Sequence, residues 1–298
     1  MTGKEKTPVV ILAFNRPDMV RRLLERIKTW QPDSLWIVVD GPRTDDESRL
    51  VDQVKGLFDE IEWCADIHKN YSEENMGCRA RVTSGLDWFF SENERGIILE
   101  DDCIPLDSFF LFCEELLERY KNEARVASIE GTHRLDKNPD IEESYLFSTY
   151  FTFHGWATWR RAWEMYSNTV SDAEGVIERK FRGWRPCLYW KRMYQLVKAG
   201  RRDSWGYRWM LSNWRTNSLA VCPRNSLVQN IGYGDESTHT RGDSYKLMPA
   251  REMRFPLSHP QQVEANVELD KRLEDSCYSR SVVQRFRWVG RRFFGLDI

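Results

Sequence analysis

Glu100-Asp101-Asp102 sets three carboxylates in a row, after the apolar run Gly96-Ile97-Ile98-Leu99 and ahead of Cys103-Ile104-Pro105. The apolar run predicts a short buried strand, so the acids fall where that strand ends. Carboxylates crowded into a partly desolvated site repel one another. A divalent cation that prefers hard oxygen ligands, Mg2+ or Mn2+, relieves the repulsion. Held by one or two carboxylates, such a cation keeps positions open for the oxygens of a diphosphate. A solvated acidic turn would have the same composition, so the surroundings of the triplet decide between the two.

Those surroundings alternate strand and helix signals over the first 130 residues. Pro8 to Phe14 reads as a buried strand, and Asn15-Arg16-Pro17 breaks it with a proline suited to a helix start. Met19, Val20, Leu23, Leu24 and Ile27 then recur at helical spacing. Leu35 to Val39 predicts a second strand, ending at the turn Asp40-Gly41-Pro42, and Leu50, Val51, Val54, Leu57 and Phe58 mark a second helix. Ile61 to Ile67 reads as a third strand, Cys78 to Ser91 and Phe109 to Tyr120 as helices, and Val126 to Ile129 as a further strand. Such alternation predicts an α/β fold, a central, mostly parallel sheet flanked by helices. Ligands of such sheets bind at the carboxyl ends of the strands. Asn15, Asp40 and the acidic triplet all fall at such ends, which predicts one shared site. No Gly-x-Gly-x-x-Gly and no Gly-Lys-Ser/Thr occurs, so neither a dinucleotide fingerprint nor a P-loop is indicated.

The pattern changes after Ser148. Of the 13 tryptophans, eight lie between Trp156 and Trp214. Arg160-Arg161-Ala162-Trp163 reads as a helix start, Tyr189 to Ala199 and Trp205 to Trp214 as helices, and Leu219 to Cys222 as a strand. Asn230 to Thr240 reads as a loop. From Tyr278 onward five arginines face a single acid, Asp297, with Phe286, Trp288, Phe293 and Phe294 between them.

The chain of 298 residues suffices for one large domain, or one domain with an appendage. With 41% hydrophobic and 30% charged residues the balance is that of a globular protein, and a net charge of −2 gives no reason to expect nucleic acid as a partner. The seven cysteines form no Cys-x-x-Cys pair, so no zinc site or disulfide framework is indicated and a reducing cytosol fits. The polar Met1 to Thr7 lacks a signal-peptide core, and no run approaches the roughly 18 apolar residues of a membrane span. The expected location is cytoplasmic, with peripheral contact at the inner face of the plasma membrane as an addition.

Taken together, Pro8-Val-Val-Ile-Leu-Ala-Phe-Asn-Arg-Pro17, the strand ending at Asp40, the acidic triplet and Gly155-Trp-Ala-Thr-Trp159 resemble GT-A-fold glycosyltransferases. The similarity is to bacterial family 2-like sugar transferases and to N-acetylglucosaminyltransferase I, over roughly Pro8 to Thr240. The resemblance implies a nucleotide-sugar donor, a divalent metal and inversion at the anomeric carbon. It makes Asp102 the metal ligand, with Glu100 and Asp101 facing the ribose and sugar. It puts Asn15 and Arg16 in the nucleoside pocket and has Asp40 accept from the base, which suits the imide N–H of a UDP-sugar. Arg79 and Arg81 could pair with the diphosphate or be solvated helix charge. Asp203, before Trp205, is the expected general base, against the alternative of a helix cap. Some bacterial relatives carry an acid just after that tryptophan, where this chain has Gly206, so Asp235 and Glu236 stay open as alternatives. By the same resemblance His239 would approach the metal or the diphosphate, against an ordinary loop histidine.

The loop of Gly232, Gly234 and Asp235 could close over the donor. His154, among aromatic neighbours, reads more readily as a packed histidine. Trp156 and Trp205 are candidates to stack against sugar rings. The expected organisation is one catalytic domain in two halves, 1–130 for the nucleotide sugar and 131–245 for the acceptor, then a helical tail, 246–298. The basic, aromatic tail could lie on an anionic bilayer, bringing a lipid-linked acceptor within reach, or pack on itself. The expected function is a UDP-sugar-dependent glycosyltransferase of surface polysaccharide assembly acting on a glycan or lipid-linked saccharide. A sugar-1-phosphate nucleotidyltransferase and a non-catalytic nucleotide-sugar or carbohydrate-binding protein are the alternatives.

Overall fold

A computed structural model describes residues 5–135, 141–169, 171–181, 183–232 and 249–278. In chain order the elements are β1 (Val9–Ala13), α1 (Pro17–Trp30), β2 (Ser34–Val39), α2 (Asp45–Asp59), β3 (Asp66–Tyr71), α3 (Cys78–Glu92), β4 (Arg95–Glu100), β5 (Cys103–Pro105), α4 (Asp107–Arg119) and β6 (Val126–Glu130). There follow β7 (Tyr145–Ser148), β8 (Trp156–Trp159), α5 (Arg160–Trp163), α6 (Ala173–Lys180), α7 (Trp184–Lys198), α8 (Trp205–Arg215), β9 (Leu219–Pro223), β10 (Val228–Asn230) and α9 (Val267–Leu273).

Eight strands form one sheet in the order β3-β2-β1-β4-β8-β6-β9-β7. The first four and the β6–β9 pair are parallel; β8 runs against β4 and β6, and β7 against β9. This is the expected α/β architecture. The antiparallel β8 is a departure, since Trp156–Trp159 lacks the β-branched run that announces an inner strand, and its Trp-Ala-Thr-Trp pattern gives no period to read. β3 also lies later than Ile61–Ile67, because residues 61–65 are an irregular segment and the strand begins only at Asp66.

Alternation along the strands divides the core. Val9, Ile11 and Ala13 of β1 face the layer built by α1, α2 and α4, while Val10 and Leu12 face the layer of α3 and α5–α8. α1 contributes Val20, Leu23 and Ile27 at helical spacing. The tryptophans concentrate in the second layer, where Trp156, Trp163, Trp205 and Trp209 pack ring on ring. β6, from the first half of the chain, lies between β8 and β9 of the second, so both halves share one sheet. The stretch 249–266 is a strap without helix. It is tied down by the Met253 N–H donating to Ser108 Oγ (3.0 Å) and the Asn266 N–H donating to the Phe147 carbonyl (2.8 Å). No helix among the described residues is long and apolar enough to cross a membrane.

Candidate active site

The chain runs from β1 outward to β2 and β3, then returns to place β4 on the other side of β1. The crevice at the carboxyl ends of β1 and β4 is therefore a topological switch point, where loops diverge and leave room for a ligand. Register fixes what meets there. Leu12 pairs with Glu100 and Ala13 with Val39, so the three strand ends are level. The Asp101 N–H donates to the Leu12 carbonyl (3.0 Å) and the Asp40 N–H to the Ala13 carbonyl (3.2 Å). A cleft of about 660 Å³ opens over these ends, lined among others by Asn15, Arg16, Asp40, the acidic triplet, His154, Asp203 and Asn230.

Arg16 follows β1 and turns its guanidinium onto the triplet. Nη1 lies 3.0 Å from Asp102 Oδ2, and Nη2 donates to Asp101. Asp101, only 2% exposed, also accepts from the Phe14 N–H at 3.3 Å. One guanidinium does not balance three carboxylates. Burial, and then repulsion from Asp102 and Asp101, pushes the Glu100 carboxyl up to about 8. Burial lifts Asp101 to about 6 against the pull of Arg16. The same guanidinium is held more firmly charged by the two aspartates, although burial opposes it.

A second, two-stranded sheet completes this wall. β10 pairs antiparallel with β5, setting Asn230 opposite Cys103. Asn230 Nδ2 then donates to Asp102 Oδ1 (3.1 Å), and the Ile231 N–H donates to the Asp102 carbonyl (2.9 Å). Gly232 comes so close that a Cβ there would lie 2.1 Å from Asp102 Oδ2. The cradle around Asp102 is thus shaped by residues more than a hundred positions away in sequence.

These residues fit a hard divalent ion. The donor set is carboxylate oxygen, and it carries more negative charge than Arg16 neutralises. Among the described residues no three carboxylate, imidazole or thiol side chains form a ready-made cation cage. The expected ligand His239 lies outside the described residues, as do Asp235 and Glu236.

Asp40 takes a different part from the one expected. Its Oδ1 accepts from the Gly41 N–H (2.9 Å) and the Met76 N–H (2.9 Å), its Oδ2 from the Gly77 N–H (3.1 Å) and Asn75 Nδ2 (3.2 Å). A carboxylate has about four lone-pair positions, so these four donors leave none for a base. Asp40 instead holds the loop ahead of α3, where Gly77 has φ +79°, a conformation that favours glycine. Arg81 is likewise turned inward. Nε donates to the Val39 carbonyl (3.2 Å) and Nη2 to Asn70 Oδ1 (3.0 Å), which ties the ends of β2 and β3 together at the margin of the cleft that Arg81 lines.

Asn15 Nδ2 donates to Glu47 Oε1 (3.3 Å), and the Arg43 guanidinium lies over the Phe14 ring, 5.2 Å from its centre. Together they make a flat, polar-edged corner of the cleft. Asp203, which also lines the cleft, is 49% exposed, and its Oδ1 accepts from Arg79 Nε at 2.6 Å. α8 has Ser204 at its N-cap, with no side-chain cap bond, so Asp203 is not the cap.

Trp156 and Trp205 do not line the cleft. They are 0% and 4% exposed and stack on each other with centres 5.6 Å apart. β8 is an inner strand and Trp205 opens a helix packed on it, so neither indole can meet a sugar. His154 goes the other way. It precedes Gly155, whose φ of +68° turns the chain into β8, and it lines the cleft near Asp102. Burial and Arg134 hold it down to about 4 against the pull of Asp102, so its imidazole is neutral at pH 7. A histidine beside a glycine that must turn the chain at a strand entrance was the signal available in the sequence.

No protein-family model matches the chain, and no curated protein matches it significantly. Among solved structures, it is similar to 4-diphosphocytidyl-2C-methyl-D-erythritol synthase from Anaerococcus prevotii, at 14% identity and a TM-score of 0.35, over 67% of this chain and 87% of that one. It is similar to a UDP-glucose pyrophosphorylase complexed with UDP-glucose at 8% identity and a TM-score of 0.32, over 54% and 78%. A cytidylyltransferase from Leptospira borgpetersenii gives 11% identity and a TM-score of 0.33, over 56% and 66%. Likeness at that level assigns no chemistry to this chain.

Proposed function

We propose that the protein is a metal-dependent inverting glycosyltransferase that moves a sugar from a UDP-sugar to a glycan or lipid-linked saccharide in surface polysaccharide assembly. One observation carries this reading: the under-neutralised triplet Glu100-Asp101-Asp102 faces a cleft at the sheet's switch point, and the exposed carboxylate of Asp203 lines the same cleft.

Asp102 and, beside it, Glu100 would hold Mn2+ or Mg2+, which when bound neutralises charge on the departing diphosphate without a proton. Arg16, already at the carboxylates, is placed to pass its fork to phosphate oxygens. Phe14, Asn15 and Arg43 offer a flat surface with polar edges for the nucleoside. Asp203 accepts the proton of the attacking hydroxyl as that oxygen bonds to the anomeric carbon. The bond to the diphosphate oxygen breaks on the other face, and its electron pair leaves with UDP. Neutral His154 lines the same cleft.

Sugar-1-phosphate nucleotidyl transfer would draw on the same sheet. Against it, the turn after β1 is Phe14-Asn15-Arg16-Pro17, without the glycines that let backbone N–H groups wrap a triphosphate. The test is to supply UDP-sugars, Mn2+ and saccharide acceptors and to follow UDP release and acceptor mass together. UDP release with a heavier acceptor is the expected result. Pyrophosphate consumption or formation with no transfer would replace this reading by nucleotidyl transfer. Tight UDP binding with neither reaction would leave a binding protein.

A further inference from the structure

The 15 residues of α7, Trp184–Lys198, include Arg185, Lys191, Arg192 and Lys198 and no acid. Pro186, Tyr189, Trp190 and Val197 face the core. On the outer face Trp184 is 61% exposed and Leu188, one turn later, 46%. The Arg185 guanidinium sits 5.3 Å from the Trp184 ring centre, and Arg192 continues the row a turn beyond Leu188. Lys191 turns away to Glu178 on α6, so the outer row is aromatic, aliphatic and cationic. Arg201 and Arg202, both exposed, extend the charge past the helix end.

We propose that this face of α7 docks on an anionic lipid bilayer. An indole and a leucine one turn apart suit the boundary between headgroups and acyl chains, and the neighbouring guanidinium groups suit lipid phosphates. The basic character is local: the whole chain has a net charge of −2, so an anionic surface repels it except where such a face turns towards it. The end of the described chain agrees. Glu274–Tyr278 packs against α7, and the sequence that follows, residues 279–298, has five arginines and one acid in its composition. Only the use of the contact rests on the proposed function. Asp203 follows the end of α7 by five residues, a reach of at most about 18 Å, so a saccharide on a lipid would be presented near the cleft.

Full-length protein is sedimented with sucrose-loaded vesicles of phosphatidylcholine alone or mixed with phosphatidylglycerol, without nucleotide or metal. Binding to the anionic vesicles only, weakening as salt rises, is expected. Arg185→Gln with Arg192→Gln should lower partitioning about 25-fold, roughly fivefold for each charge. Trp184→Ser with Leu188→Ser should also lower it severalfold, and because these four side chains are exposed, melting temperatures should not move. Absence of vesicle binding, equal binding to neutral vesicles, or wild-type binding by both double variants overturns the proposal. The assay needs no sugar transfer, so failure of the transferase reading leaves its outcome unchanged.

Discussion

Arg16 and Asp102 meet at 3.0 Å, and the same guanidinium reaches Asp101. A tethered cation thus occupies carboxylates that a free divalent ion would also seek. Arg16→Met should raise affinity for Mn2+ in the absence of nucleotide about tenfold, as the competitor is gone, while weakening UDP binding. The metal-free variant should lose roughly 2 kcal/mol of stability, because two partly buried acids lose their partner, and Mn2+ should restore part of it. Metal titration by electron paramagnetic resonance, with and without UDP, checks this; unchanged Mn2+ affinity would show that Arg16 does not guard the site.

Asp102→Asn keeps the size of the side chain and its place beside Asn230 but removes the charge. Metal-dependent UDP binding should fall by about 100-fold or more, the loss of a direct ligand to a charge-neutralising ion. Calorimetric titration with UDP and Mn2+ reads the change, and equal affinity for the two proteins rejects the role assigned to Asp102.

Much of this site was legible before the structure, and the reason is geometric. β1, β2 and β4 are continuous apolar runs, so their ends could be read, and residues at the ends of parallel neighbours lie side by side. That brought Asn15, Asp40 and the triplet together. What each residue does there was not legible, because it depends on hydrogen bonds from distant loops. The four donors on Asp40 include residues 75–77, and Arg81 answers carbonyl groups of β2 and β3. Tryptophan is ambiguous for another reason, since one indole serves a core or a sugar equally well. Burial of Trp156 followed from β8 being an inner strand, which its four residues do not announce. The Asn230–Asp102 contact spans 128 positions and leaves no local trace at all.

Gly232 allows a check on the cradle alone. A Cβ there would come within 2.1 Å of Asp102 Oδ2, so Gly232→Ala must displace the carboxylate or the loop. Metal-dependent UDP binding should weaken at least tenfold, while overpacking at this rim costs about 1 kcal/mol of stability. Thermal unfolding and UDP titration on the same sample separate the two effects; full binding by the alanine variant would show that the approach of Gly232 has no bearing on the ion.

Asp203 lines the same cleft as the triplet, paired with Arg79 at 2.6 Å. Asp203→Asn should leave UDP and donor affinity within about twofold and lower the transfer rate by 10²–10⁴, roughly the contribution of a general base. Arg79→Met tests the pairing in the opposite sense, since it leaves the carboxylate in place. Single-turnover rates at saturating donor measure both variants. Near-normal transfer by Asp203→Asn moves the base elsewhere on the cleft wall.

Glu130 ends β6 in a buried pocket, accepting from the Thr152 N–H (3.1 Å) and Thr152 Oγ1 (2.9 Å). Burial pushes its carboxyl up to about 8, as it does that of Glu100. Between its ordinary value of 4.5 and about 8 the folded state holds a proton that the unfolded chain releases, so stability falls as pH rises through that window. His154 has the opposite sign, because its value is lowered from 6.5 to about 4, and its contribution is complete by pH 6.5. Above pH 6.5 the raised carboxyls therefore act without that opposition, and the melting temperature of the metal-free protein should drop steadily to pH 8. Glu130→Gln keeps the shape and cannot ionise, so it should flatten that drop and leave the part owed to the other raised carboxyls, the acidic triplet among them. Mn2+ with UDP should reduce the remaining slope by stabilising the charged triplet. Calorimetric scans of both proteins across this range decide the matter, and identical slopes would mean that Glu130 does not titrate with folding.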